Sequence, residues 1–167
     1  MAIKKSIIIT ILVILMFLPL TAKAQNSDTI EDELTGIWHC RPFLGSGWND
    51  RYCFFSDGTF TYAYNQMDGE KRIIDKEGTW IIKDNMLFLV IKEKTIITGG
   101  EFIKATGSIA TDYEIINGKV EKIKLDSPEE VIYPITTIET DTENPHLLMI
   151  KIGGIKFWKL SDDPYYE

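Results

Sequence analysis

Beyond residue 33 the chain is written in short runs. Apolar and polar side chains tend to exchange places every second residue, and Gly, Asn and Asp separate the runs. No window after Leu34 sustains an i, i+3, i+4, i+7 apolar pattern over three turns, so helices are not expected there. Strands are predicted at 37–42, 51–56 and 60–65, with Phe60, Tyr62 and Tyr64 on one face of the third. Strands at 71–75 and 78–83 follow, the latter with Trp80 and Ile82 on one face. The run 86–92, which contains Phe88, is apolar on both faces.

The second half continues in the same manner. Runs 95–98 and 101–105 flank Gly99-Gly100, and runs 109–116 and 119–125 flank Asn117-Gly118, the strongest hairpin signal in the chain. Run 131–140 is rich in β-branched residues and contains Pro134, which points to an edge or a bulge. Runs 146–152 and 155–160 flank Gly153-Gly154. About ten strands in sequence-adjacent hairpins, with no long crossover, must close or stack to protect their edges. The expected fold is all-β, an antiparallel up-and-down barrel of about 8–10 strands, with a two-sheet β-sandwich as the alternative.

The ends read differently. Lys4 and Lys5 precede an almost unbroken apolar run at 7–20, and Ala22-Lys23-Ala24 follows as a small-x-small cleavage site. Residues 1–24 therefore read as a secretory signal peptide, too short in its apolar part for a spanning helix. An uncleaved anchor is the alternative reading. Residues 25–33 form a polar linker in which Asp28-Thr29-Ile30-Glu31 has the pattern to cap one helical turn, residues 34–160 form the barrel domain, and residues 161–167 are a polar tail. Export implies a periplasmic or secreted location. It leaves 143 of the 167 residues, enough for one domain with a core, and takes the net charge from −7 to −10 by removing three lysines. An acidic chain without a basic run has no electrostatic footprint for nucleic acid or an anionic membrane surface.

In an oxidising compartment the two cysteines, Cys40 and Cys53, are most simply one disulfide. One antiparallel register sets Cys40 opposite Cys53 and Trp38 opposite Phe55. A bridge there would close a loop worth about 3 kcal/mol. Two free buried thiols are the alternative.

Several pieces in order carry a resemblance: Gly36-Ile37-Trp38 on the first strand, Phe55-Ser56-Asp57-Gly58-Thr59-Phe60, Gly78-Thr79-Trp80 running into Asp84-Asn85, and Phe157-Trp158-Lys159-Leu160 as a closing strand. Together they resemble the lipocalins, and in particular the small secreted bacterial lipocalin-like domains. The resemblance implies a barrel closed at the Gly-x-Trp end and open at the other, holding a small hydrophobic molecule. It makes Gly36 and Trp38 structural parts of the closed base. In lipocalins an arginine near the last strand packs over that tryptophan; here the closing strand offers Lys156 and Lys159.

Candidate chemistry is sparse. His39 neighbours Trp38 on a strand, so it is expected to face outward if Trp38 faces inward, and His146 follows a turn at Asn144-Pro145. Neither histidine comes with a nucleophile and an orienting group. The acidic residues fall mostly in turns, where Asp caps local backbone. No calcium loop and no phosphate loop occurs, so no metal, cofactor or catalytic set is expected. The loop 43–50 carries Phe43, Leu44 and Trp48 among glycines. By the resemblance it would lie over the ligand entrance, with Tyr62, Tyr64, Trp80, Phe88 and Trp158 lining the pocket if their faces point inward. Trp48→Ala and Trp80→Ala would then weaken binding. The expected function is non-enzymatic binding of a small apolar molecule, with no integral membrane anchor after cleavage. The rival is a protein-interaction module with a filled barrel and an unidentified partner, which would use exposed loops or the edge at 131–140. A secreted hydrolase stands third.

Overall fold

The structure is a computed structural model that describes residues 27–43, 49–107 and 111–166. The signal-peptide reading of residues 1–24 lies outside the described residues, as do Leu44 and Trp48. Helix α1 (Ser27–Leu34) leads into nine strands: β1 (Gly36–His39), β2 (Arg51–Phe54), β3 (Thr59–Ala63), β4 (Ile73–Lys83), β5 (Met86–Lys104), β6 (Tyr113–Pro134), β7 (Glu139–Thr140), β8 (Leu148–Ile152) and β9 (Ile155–Ser161). They form one antiparallel sheet in the order β6-β5-β4-β3-β2-β1-β9-β8-β7. The all-β expectation holds. The sheet is not closed, since no ladder joins β6 to β7. It curls far enough that Ile135, just past β6, bridges Ile152, and the Gly153 amide donates to the Pro134 carbonyl at 2.9 Å.

The concave face is the core. Alternate residues point inward along each strand, and Trp38, Phe54, Phe60, Trp80, Leu87 and Ile150 meet there, each 6% exposed or less. Helix α1 lies against one end. Its Ile30 and Leu34, one turn apart, share the face that packs on this core. Leu34 accepts a hydrogen bond from the Trp38 indole at 2.7 Å. Gly36 is needed where β9 crosses: a β-carbon there would stand 2.2 Å from the Ser161 carbonyl oxygen. Lys159 from the same strand sits over the Trp38 ring at 5.7 Å and donates to the Glu33 carbonyl at 2.8 Å.

The expected register between the first two strands is corrected. Ile37 stands opposite Cys53 and Trp38 opposite Tyr52, and the Cys40 amide donates to the Asp50 carbonyl at 2.8 Å. Cys40 therefore continues the Trp38 side of the ladder while Cys53 lies on the Ile37 side. The cysteines are not bonded to each other. The cause is aromatic. This register buries Tyr52 and Phe54 on the face where Phe60 and Tyr62 stand opposite them across β3. An odd slip would turn both outward.

The second half is also corrected. Asn117-Gly118 is not a hairpin turn. Strands β5 and β6 run side by side from Met86↔Pro134 to Lys104↔Tyr113 as one long hairpin. Gly99 stands opposite Gly118, and Gly99, Gly100 and Asn117 have positive φ, so both strands bend at one level. Nearer the core, residues 125–128 of β6 bulge opposite a single residue of β5, and Pro128 falls in that bulge. Past Ile96 the hairpin loses β4 as a partner; the Arg72 guanidinium holds it by donating to the Gly99 and Ile97 carbonyls at 2.6 and 3.2 Å.

Candidate functional site

Away from α1 the concave face is not filled. A cavity of about 210 Å³ lies there, opening to solvent beside the exposed Ile155. Its lining combines aromatic side chains, Tyr52, Phe60, Tyr62, Tyr64, Tyr133 and Phe157, with aliphatic ones, Leu89, Ile91, Val131 and Ile152, and Lys76 adds the one charged side chain. Register explains the assembly. Tyr52, Tyr62 and Lys76 are successive cross-strand neighbours on β2, β3 and β4, and so share a face. Gly153, with φ of +59°, closes the lining against Tyr133, whose ring would stand 2.8 Å from a β-carbon at that position.

The tyrosines are arranged in sequence of contact. Tyr52 lies 4.4 Å from Tyr62 between ring centroids and 5.2 Å from Phe157, and Tyr62 meets Tyr64 edge-on at 4.9 Å. The Tyr62 hydroxyl donates to Asp50 at 2.9 Å, and the other oxygen of that carboxylate accepts from the Asn65 amide at 2.6 Å. Burial, then the Asp50 charge, push the Tyr62 hydroxyl well above its ordinary pKa. Burial, then the neighbouring Tyr133 and Tyr64 hydroxyls, do the same for Tyr52. Both stay protonated donors across the physiological range. Lys76 reaches the face of Tyr64 at 5.2 Å.

Of the residues singled out in the sequence, Tyr62 and Tyr64 line this cavity. Trp80 does not. It belongs to the filled end, edge-on to Phe54 at 5.3 Å, with its indole donating to the Phe55 carbonyl at 3.3 Å. Phe88 lies on the convex face, because Leu87 and Leu89 on either side of it point inward; its cross-strand neighbours Ile81 and Ile132 are exposed. Trp158 also faces out, since Phe157 faces in. It meets Phe43 edge-on at 5.8 Å and donates to Asp141 at 2.8 Å. Phe43 is thus on the far side of β9 from the cavity.

His39 points away from Trp38, as the alternation predicts, yet it is buried, only 1% exposed. Strand β1 is central and covered on both faces: Ile37, Cys53 and Met149 are buried on the outer side, and Trp158 is the cross-strand neighbour of His39. Its Nδ1 lies 3.0 Å from the Cys40 carbonyl oxygen. Burial holds the imidazole below its ordinary pKa, against the raising effect of that hydrogen bond.

Tyr52, Lys76 and Tyr133 were not singled out in the sequence. Tyr52 had a signal: it alternates with Phe54 exactly out of phase with Cys53. Lys76 had none, because one lysine among many polar positions does not declare its face. Among the described residues no group of three or more His, Cys, Asp or Glu side chains converges to hold a metal ion. Compared with known proteins, the chain matches no family model, no curated protein and no solved structure.

Proposed function

We propose that this chain is an exported, non-enzymatic binding protein of lipocalin-like build, which holds a small, largely apolar molecule at the open end of an incompletely closed barrel. The observation that carries the reading is the 210 Å³ cavity, walled by aromatic and aliphatic side chains at the end away from α1. Its affinity comes from burying apolar ligand surface, with a few polar tips to orient it. The size suits one ring or a short chain, since a cavity of about 150 Å³ accommodates benzene. Two features support the lipocalin-like build: the bridge from Ile135 to Ile152, which brings the two ends of the curled sheet together, and Lys159 over Trp38, a cation where the resemblance expects an arginine.

The test is native mass spectrometry of the protein purified from its own host, before and after organic extraction. A discrete added mass, lost on extraction and absent from a Val131→Phe variant, is the expected result. An added mass that survives the obstruction at Val131 would move the site elsewhere.

A protein-interaction role draws on a different observation. β6 forms one edge of the sheet, and no described strand pairs with its outer side, although Gly69 and Gly153 meet its backbone at Ile115 and Pro134. Charges along it and the bulge at Pro128 work against strand addition, so this reading stands second.

A further inference from the structure

Four residues of the cavity lining carry hydrogen-bond donors that meet no acceptor among the described residues. Among the described residues, the hydroxyls of Tyr52, Tyr64 and Tyr133 have no hydrogen-bond partner, and Lys76 has no carboxylate within ion-pair distance. None of these groups is sealed off, since among the described residues no buried side-chain nitrogen or oxygen lacks a partner. They remain accessible, and the cavity is the space they share. Asp50, the acid nearest the tyrosines, is already engaged by Tyr62 and the Asn65 amide. A lining that is apolar over most of its area, with an ammonium, hydroxyls able to donate beside it and no carboxylate, is matched by a ligand with an apolar body and an anionic head.

We infer that the cavity takes a small carboxylic acid as its anion, the ring or short alkyl body lying between Tyr52, Phe157 and Ile91 and the carboxylate meeting the Lys76 ammonium and the tyrosine hydroxyls. This rests on the binding reading above and names the class of molecule bound. The ammonium supplies a charge-assisted hydrogen bond, stronger than one between neutral groups. The volume limits the body to about the size of a phenyl ring with a short arm. A long-chain fatty acid does not fit within it.

Matched probes separate the inference from its premise. Binding of 3-phenylpropionate and of 3-phenylpropan-1-ol, which differ only in the head group, is measured by calorimetry at neutral pH on the mature protein. The acid is expected to bind about tenfold or more tighter, the scale of one charge-assisted hydrogen bond. Lys76→Met should remove that preference, read as the ratio of the two affinities, Lys76→Arg should retain it, and Tyr133→Phe should reduce it. Circular dichroism checks that each variant is folded. Equal binding of the two probes, or a preference that survives Lys76→Met, overturns the inference and leaves the cavity reading intact. Binding of neither probe overturns both.

Discussion

At the end of the sheet beside α1, Trp38, Phe54, Trp80 and Leu87 are packed into one another. At the other end Tyr52, Tyr62, Leu89 and Ile91 surround a void. The two sets come from the same strands. Phe54 and Tyr52 are two residues apart on β2, and Leu87 and Leu89 are two apart on β5. The pleat, the register and the alternation are shared, so secondary structure does not distinguish a core from a pocket here. The difference is what covers the open end of each. Helix α1 brings Ile30 and Leu34 to the first, while no described element does so for the second. A curled sheet that is stoppered at one end can leave room at the other without losing its stability to the vacancy.

The contrast can be broken most forcefully at the packed end. Trp38→Ala removes a fully buried indole and its hydrogen bond to Leu34, and should cost about 3–5 kcal/mol in chemical denaturation. Trp80→Ala belongs to the same class. It should destabilise the fold on a similar scale and leave 3-phenylpropionate binding at the far cavity unchanged. A loss of binding without a loss of stability would place Trp80 in the site after all.

A pair of enlargements sharpens the comparison. Leu87→Phe adds volume where none is free and should cost about 1–3 kcal/mol. Val131→Phe adds more volume, but beside the void, and should leave stability nearly unchanged while abolishing probe binding. Equal costs for the two would mean that the open end is as tightly packed as the other.

His39 gives a smaller, pH-dependent effect. Its folded pKa lies below the ordinary histidine value, so the unfolded chain binds the proton more readily. The stability it contributes is present above about pH 6.5 and is lost as pH falls through the folded value. Denaturation midpoints for the wild type should fall across that interval more steeply than those of His39→Gln. The smallest expected effect is none at all: with Cys40 and Cys53 on different sides of the ladder, reductant should not shift Tm. Both thiols should alkylate in denaturant without prior reduction. An intact mass two hydrogens light would contradict this register.

Much of the fold was legible because the signals were local. Alternation located most strands, Asp57-Gly58 and Asp84-Asn85 marked turns that the structure contains, and Pro134 marked the end of an edge strand. Two signals misled for one reason. Asn117, Gly99 and Gly100 take the positive φ that turns use. Each signal favours positive φ, and neither specifies whether the chain reverses or merely bends; pairing across the sheet made them a shared bend. The site was only half legible. Tyr62 and Tyr64 were found because Phe60, Tyr62 and Tyr64 alternate, whereas Tyr52 was missed with the register. Trp80, Phe88 and Trp158 were chosen for size, and size does not tell which face or which end a ring occupies.

By itself, then, the sequence determined an all-β chain, the short strands that precede and follow the long β5–β6 hairpin, its acidic balance and the aromatic face of β3. These follow from the period of two and from turn chemistry, which act between neighbours along the chain. Only the tertiary structure decided that Tyr52 and not Phe55 stands opposite Trp38, that His39 is buried, that the cysteines stay apart, and that Lys76 and Tyr133 meet Tyr62 around a void. Each of these depends on a register or a curl that joins strands far apart in sequence. Such pairings are chosen by the burial of a whole face, a sum over many side chains that no single residue carries.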